Sequence, residues 1–394
     1  MKKLVFLDIN HKNLLPLTYT RPIAKLRIGI LTIEEKWQKQ LNISETGYIT
    51  ESYLQEKFSF DPSDDYLVIN AGILPDEKLL KAIGELKKEQ KIDGKNGFIA
   101  ARTGKQQISR EILQKFTALD HPDEYKEVCY PWQIFSWNGE EIIKDFESLT
   151  KGRKTNKVSN GNMIAGIENV FVEDGAKVNF ATINADLGPV YIGKNAEIME
   201  NSVIRGPFAL LEGGVVKMGA KIYGPTTIGP VSKVGGEINN SIFQGYSNKA
   251  HDGFLGNSVI GEWCNLGADT NNSNLKNNYA EVKLWNYHKA HFMKTGLQFC
   301  GLIMGDHSKC GINTMFNTGT VVGVSANIFG SGFPRNLIPS YSWGGAGGFT
   351  EFKLNKALEV VEKVYARRQK TLDQTEIDIL THIYEQTAKY RKFH

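Results

Sequence analysis

Apolar side chains recur every six residues through the middle of the chain. From Ile192 onward, eight successive sixth positions are aliphatic: Ile192, Ile198, Ile204, Leu210, Val216, Ile222, Ile228 and Val234. With hydrophobic residues at 41% of the sequence, such a run would arise by chance roughly once in a thousand. A second frame holds Phe254, Ile260 and Leu266, and a third holds Met304, Cys310, Phe316, Val322 and Ile328. This period fits neither an α-helix nor the alternation of a lone strand. It fits a triangular coil whose three short sides each send one side chain inward, so that about 18 residues complete a turn. Stacked coils then bury a continuous aliphatic column. Glycine follows the inward residue at Gly193, Gly229, Gly235, Gly261, Gly267, Gly305, Gly311 and Gly323, where a side chain would clash at a tight corner.

The pattern predicts a left-handed parallel β-helix over residues 160–340. Strict hexads argue against a right-handed coil. Frame breaks at Asn239–His251 and Thr270–Gly296 mark where loops are expected to leave the prism, and functional residues concentrate on such excursions.

The two ends carry other patterns. Residues 1–105 hold short apolar runs, Leu4-Val5-Phe6-Leu7 and Tyr66-Leu67-Val68-Ile69, each followed by a turn and a helix-forming stretch such as Pro75 to Ile83. That alternation predicts an α/β domain with a partly parallel sheet. Residues 106–159 read as a connector anchored by Pro131-Trp132-Gln133-Ile134-Phe135, and residues 341–394 as a helical tail. In the tail, Leu354, Leu358, Val361 and Val364 fall at helical spacing, which predicts a helix packed on the prism or on a neighbouring subunit.

Composition narrows the function classes. A chain of 394 residues holds two or three domains. The net charge of +4, without a dense basic run interleaved with aromatics, argues against a nucleic-acid partner. The apolar stretch after Met1-Lys2-Lys3 stops at Asp8, too short for a signal peptide, and no run approaches a membrane span. Cys129, Cys264, Cys300 and Cys310 form no metal-type spacing. They read as buried, reduced thiols of a cytoplasmic protein without a bound metal.

One segment carries a recognisable order: Lys249-Ala250-His251-Asp252-Gly253-Phe254-Leu255-Gly256-Asn257, then Ile260-Gly261, then Asn265-Leu266-Gly267-Ala268-Asp269-Thr270. It resembles the acetyltransferase half of the bifunctional glucosamine-1-phosphate acetyltransferase and N-acetylglucosamine-1-phosphate uridyltransferase family. There a His is followed by Leu-Gly-Asp, Ile-Gly and Asn-Ile-Gly-Ala-Gly-Thr. The resemblance implies that His251 is the general base, that Asn265 lies beside it, and that acetyl-CoA is the donor. It further implies a homotrimer whose neighbouring coils wall the site. The chemistry agrees: an amine or hydroxyl must lose a proton to attack a thioester, and histidine titrates in the right range. Backbone N–H groups at Gly267 and Ala268, or the Asn265 amide, would serve the oxyanion. A lone histidine is more often structural than catalytic, and only this context reverses the reading. His288, His291 and His307 lie outside the motif and read as structural. Asp269 and Phe254 depart from the family, the latter removing a hydroxyl. Asn274, Lys276 and Tyr279 on the following loop read as contacts to a sugar phosphate or CoA.

The amino-terminal part is similar to the nucleotidyltransferase half of the same family. Pro16-Leu17-Thr18-Tyr19-Thr20-Arg21-Pro22 resembles its Pro-Leu-Thr-x-Thr-Arg-Pro-Lys segment. The glycine-rich phosphate loop is replaced by Asp8-Ile9-Asn10-His11-Lys12-Asn13, the lysine by Ile23, and Asn-Gly-Asp by Asn70-Ala71-Gly72. Mg²⁺ therefore stays open as a cofactor whose expected ligand is missing. Arg21, Lys25 and Arg27 read either as a phosphate clamp or as surface charges. Three functions follow: acyl transfer to an amino sugar phosphate or sugar nucleotide; sugar-1-phosphate nucleotidyl transfer; and non-catalytic sugar-nucleotide binding that regulates or scaffolds another enzyme.

Overall fold

A computed structural model describes residues 3–121 and 124–393. The chain divides into two units. One takes the chain up to Leu14, Thr20–Leu26 and Leu31–Cys129; the other takes Leu15–Tyr19, Arg27–Ile30 and everything from Tyr130.

The first unit is built on a mixed six-stranded sheet. Its strands are β1 (Lys3–Leu7), β2 (Glu45–Ile49), β3 (Tyr66–Asn70), β4 (Gln90–Gly94), β5 (Gly97–Thr103) and β6 (Thr117–Asp120), in the order β2-β1-β3-β5-β4-β6. β1 pairs in parallel with β2 and β3, whereas β5 runs antiparallel to β3 and β4. The unbroken apolar runs of β1 and β3 are buried along their whole length, as expected of strands covered on both faces. Helix α1 (Ile33–Leu41) opens on a capping box: the Thr32 hydroxyl accepts from the Glu35 N–H, and the Glu35 carboxylate from the Thr32 N–H. Helices α2 (Glu77–Gly84) and α3 (Arg110–Gln114) start on Asp76 and Ser109 caps.

The second unit is the left-handed β-helix. Three sheets form its faces, parallel except where Gly348–Glu351 turns back on Ser342–Gly345 at the end of the third: six strands from Met163–Ala165 to Phe254–Gly256, nine from Val170–Val172 to Leu337–Ile338, and ten beginning at Lys177–Val178. All eight residues of the first hexad frame sit in the central column at 0–1% exposure. The third frame joins them. The second frame needs a correction, because register pairs Phe254 with Glu237 and Leu255 with Ile238, so Leu255 fills the column. Gly229 is required by close approach, since a Cβ there would lie 2.4 Å from the Phe243 and Gln244 carbonyl oxygens of the next coil.

The two frame breaks differ in kind. At the first, coiling continues through strands Glu237–Asn239, Ile242–Gly245 and Asn248–Lys249 with shortened corners. At the second, the chain leaves the prism after Asn272, makes an antiparallel hairpin of Lys283–Asn286 and His291–Lys294, and returns at Cys300.

Helix α4 (Pro131–Thr150) belongs to this unit, and the segment Arg27–Ile30 docks with it. Ile30 packs with Ile142, Ala209 and Leu211. Buried Asn138 accepts from the Gly29 N–H at 2.8 Å and from the Thr227 hydroxyl at 3.1 Å, while Asp145 accepts from the Ile30 N–H at 2.8 Å. Asn138→Ala leaves two buried donors without that acceptor and should lower stability by about 2–4 kcal/mol. The check is the prism's melting temperature, which ought to drop by several degrees. The carboxy-terminal tail forms two helices, α5 (Leu354–Ala366) and α6 (Gln374–Gln386). Among the described residues no helix is long and apolar enough to cross a membrane.

Candidate functional site

His251 stands exposed on the corner between strand Asn248–Lys249 and strand Phe254–Gly256. That corner is held from three sides. A Cβ on Gly236 of the preceding coil would lie 2.9 Å from the His251 carbonyl oxygen, and one on Gly253 would lie 2.3 Å from that of Thr270. The Asp252 carbonyl accepts from the Asp269 N–H of the following coil at 3.1 Å. From inside, the buried Lys249 ammonium donates to the His251 and Asp252 carbonyls at 2.6 and 2.8 Å. Burial lowers the Lys249 pKa to about 8, against the opposing pull of Asp252, Cys310 and Asp269.

Asn265 is exposed on the rung after Asn248, on the face that runs into the His251 corner. The Gly267 N–H donates to the Cys310 carbonyl at 3.0 Å, and the Ala268 carbonyl accepts from the Asn313 N–H. These groups build the coil, so the exposed Asn265 amide is the donor best placed for an incoming ligand. Asn274 lies at the far end of strand Phe254–Gly256, its amide donating to the Asn257 side chain at 2.7 Å. Lys276 donates to the Glu281 carbonyl, and Tyr279 is exposed. These three sit on the excursion at a different corner from His251. His288 and His291 are exposed on the hairpin, whereas His307 is buried beside Trp263 and Tyr365.

The face bearing Asn265 continues through Lys309, Asn327 and Trp343 on successive rungs, each about 4.8 Å apart. Over the last three of these, α5 encloses a cavity of about 470 Å³ whose lining includes Lys353, Lys356, Lys363 and Phe352. Burial lowers the Lys309 pKa, and its ammonium donates to the His307 carbonyl at 3.0 Å. Rings and lysines line this cavity together with two carboxylates, Glu351 and Glu359, the second paired with Lys356 at 2.9 Å.

In the first unit, polar side chains gather at the carboxyl ends of β1 and β3. Glu127 Oε1 accepts from the Asn10 and Asn70 amides, each at 2.8 Å, and Asn10 also reaches Cys129 Sγ at 3.3 Å. Burial, then Glu127, pushes the Cys129 thiol up to about 12. Asp8 accepts from the Thr50 hydroxyl and from the Ile23 N–H, and lies 2.9 Å from His11 Nδ1. Arg21 is buried, and Lys25 pairs with Glu34 at 2.7 Å. Despite burial, which lowers it, the Lys25 pKa is raised by Glu34. Arg27 belongs to the other unit, where its N–H and carbonyl both bond the Gln244 amide and its guanidinium bonds the Ile30 carbonyl. Among the described residues no group of three or more His, Cys, Asp or Glu side chains is arranged to hold a metal ion.

Residues 4–154 match a family model described as sugar nucleotidyl transferase. The amino-terminal part is thus similar to sugar nucleotidyl transferases. The chain is also similar to a bifunctional sugar-1-phosphate nucleotidylyltransferase/acetyltransferase of Sulfurisphaera tokodaii, with 28% identity over 160 residues. That match spans 40% of this chain and 37% of the relative, little more than a third of its length. Among solved structures, UDP-N-acetylglucosamine acyltransferases of Arabidopsis and Bacteroides fragilis align over 59% of this chain and 91% of theirs. Their identities are 16% and 18%, with TM-scores of 0.20 and 0.25.

Three features of the site escaped the sequence reading. In the first unit, Glu127 brings a carboxylate to Asn70, but the two are 57 positions apart and only the fold joins them. Lys249 falls within the frame break Asn239–His251, where no spacing marks it as an inward position. The α5 cavity combines outward positions of three coils with a distant helix, which no local pattern reveals.

Proposed function

We propose that the prism transfers an acyl group from a CoA thioester, acetyl-CoA first among them, to the amine or hydroxyl of an amino sugar phosphate or sugar nucleotide. The observation that carries this reading is the exposed His251 imidazole on a corner whose backbone is tied above, below and within. His251 removes a proton from the nucleophile as it attacks the thioester carbonyl. The tetrahedral oxyanion takes a hydrogen bond from the Asn265 amide. Collapse breaks the C–S bond, and the imidazolium returns its proton to the departing thiolate. The face of Asn265, Lys309 and Asn327 would carry the donor's pantetheine arm, the lysines around the α5 cavity its phosphates, and a neighbouring prism of a homotrimer would close the groove. The bifunctional relative supports pairing this chemistry with sugar-nucleotide recognition by the amino-terminal domain.

The test uses the whole chain with acetyl-CoA and a panel of hexosamine 1-phosphates and nucleotide-linked amino sugars. Thiol release dependent on one acceptor is expected. No release above background with any of them overturns the reading. A second reading, nucleotidyl transfer, is favoured by the family match over residues 4–154. Pyrophosphate release from a nucleoside triphosphate and a sugar 1-phosphate with Mg²⁺ would establish it.

A further inference from the structure

Lys249 occupies a place the fold reserves for an aliphatic side chain. Register sets it directly over Val234 of the column, and it is fully buried among Val234, Leu266 and Cys310 on the same face. A buried cation contributes little to stability compared with an apolar side chain of the same volume, because removing it from water costs more than its contacts return. The column would accept methionine or leucine there.

The ammonium instead spends its hydrogen bonds on one short stretch. It donates to the carbonyl oxygens of His251 and Asp252, two and three residues further along the chain. The Asp252 oxygen also takes the Asp269 N–H, so both of its lone pairs are engaged. The preceding coil packs close on that side, since a Cβ on Gly236 would lie 2.9 Å from the His251 carbonyl oxygen. Among the described residues the ammonium is the donor that holds the His251 carbonyl, and it shares the Asp252 carbonyl with the Asp269 N–H.

We propose that Lys249 is a positioning residue for His251, fixing from inside the prism the peptide planes from which the imidazole projects. This rests on the assignment of His251 as the base. Without the ammonium, two carbonyls would face an apolar column and would turn toward solvent. A displacement of about 1 Å at a reacting group is enough to lower a rate about a hundredfold.

Lys249→Met in the full chain tests this, since it keeps the volume and removes the charge. With acetyl-CoA and the acceptor that supports thiol release, kcat should fall about 10- to 100-fold with KM unchanged. The melting temperature should stay level or rise, which a merely structural role would not allow. Hydrogen exchange should show the Asp269 amide opening at least about tenfold faster, with the Asn265 amide unaffected. Wild-type kcat together with wild-type exchange at Asp269 overturns the proposal. Should the variant fail to fold, Gly236→Ala presses on the same turn from outside with Lys249 intact. It is then expected to show the same loss of kcat, and a wild-type kcat there overturns the proposal. If His251→Ala is inactive while Lys249→Met is fully active, this inference alone falls. If His251→Ala keeps its rate, the functional reading falls, and the exchange result still reports on the turn.

Discussion

His251→Ala should lower the rate of acyl transfer by about 10²- to 10⁴-fold, the range that a general base supplies. The residue is exposed on its corner, and its backbone carbonyl takes the Lys249 ammonium, a contact that alanine keeps. Stability should therefore stay within about 0.5 kcal/mol of wild type. The loss should fall on kcat, with KM for acetyl-CoA little changed, because the imidazole acts on the proton of the acceptor. His251→Gln keeps the size and one hydrogen-bonding edge but cannot accept and return a proton, so it should resemble alanine. The measurement is steady-state thiol release beside a melting curve. A rate within threefold of wild type in both variants would remove His251 from the chemistry.

Asn272→Ala should lower stability by about 2–3 kcal/mol through the unmade hydrogen bonds. The six-stranded face ends at strand Phe254–Gly256, because the chain leaves for its excursion after the next rung. An exposed sheet edge is a liability that folded proteins cover. Here the next rung, Asn271–Asn272, pairs in parallel with Met315–Phe316, and its two side chains bridge back to this edge. The Asn271 carbonyl oxygen accepts from the Phe254 N–H at 2.7 Å; that of Asn272 accepts from the Gly256 N–H at 2.8 Å, and the Asn272 amide donates back to the Gly256 oxygen at 3.0 Å. Asn272 is buried, so water cannot replace it readily. Alanine leaves the Gly256 N–H without its acceptor, while the Gly256 oxygen keeps the Ser258 hydroxyl at 2.8 Å, and opens a small void. The melting temperature should fall clearly, and hydrogen exchange at Gly256 should rise by two orders of magnitude or more. Because this strand continues from the His251 corner, transfer should weaken as well. An unchanged melting temperature would show that the edge is covered in some other way.

These two changes separate what each level of structure decides. The hexad column was fully legible: Ile192 to Val234 repeat without a break, and a period of six has one compact solution, since each side of a triangular coil turns one side chain inward. The α/β character of the first unit was equally plain from the doubly buried runs of β1 and β3. The excursion after Thr270 was visible as lost periodicity. The break near Asn239 looked the same in the sequence and is something else. There the steps from Val234 to Ile238 and on to Phe243 are four and five residues, corners shortened while coiling continues. Periodicity registers that a rule has failed but not whether the chain left or tightened.

What the sequence by itself determined is therefore the prism, its aliphatic filling and the place of His251 on a corner. Only the tertiary structure decided that Lys249 reaches the carbonyls of the turn beyond it, that the Asn272 side chain bridges two rungs at Gly256, and that Glu127 meets Asn70. It also decided that Arg27–Ile30 belong with the helix α4 and the prism. The reason is physical. Repeats are written in local spacing, whereas a buried polar group is defined by its partner, and that partner is brought near by coils and sheets that join distant parts of the chain.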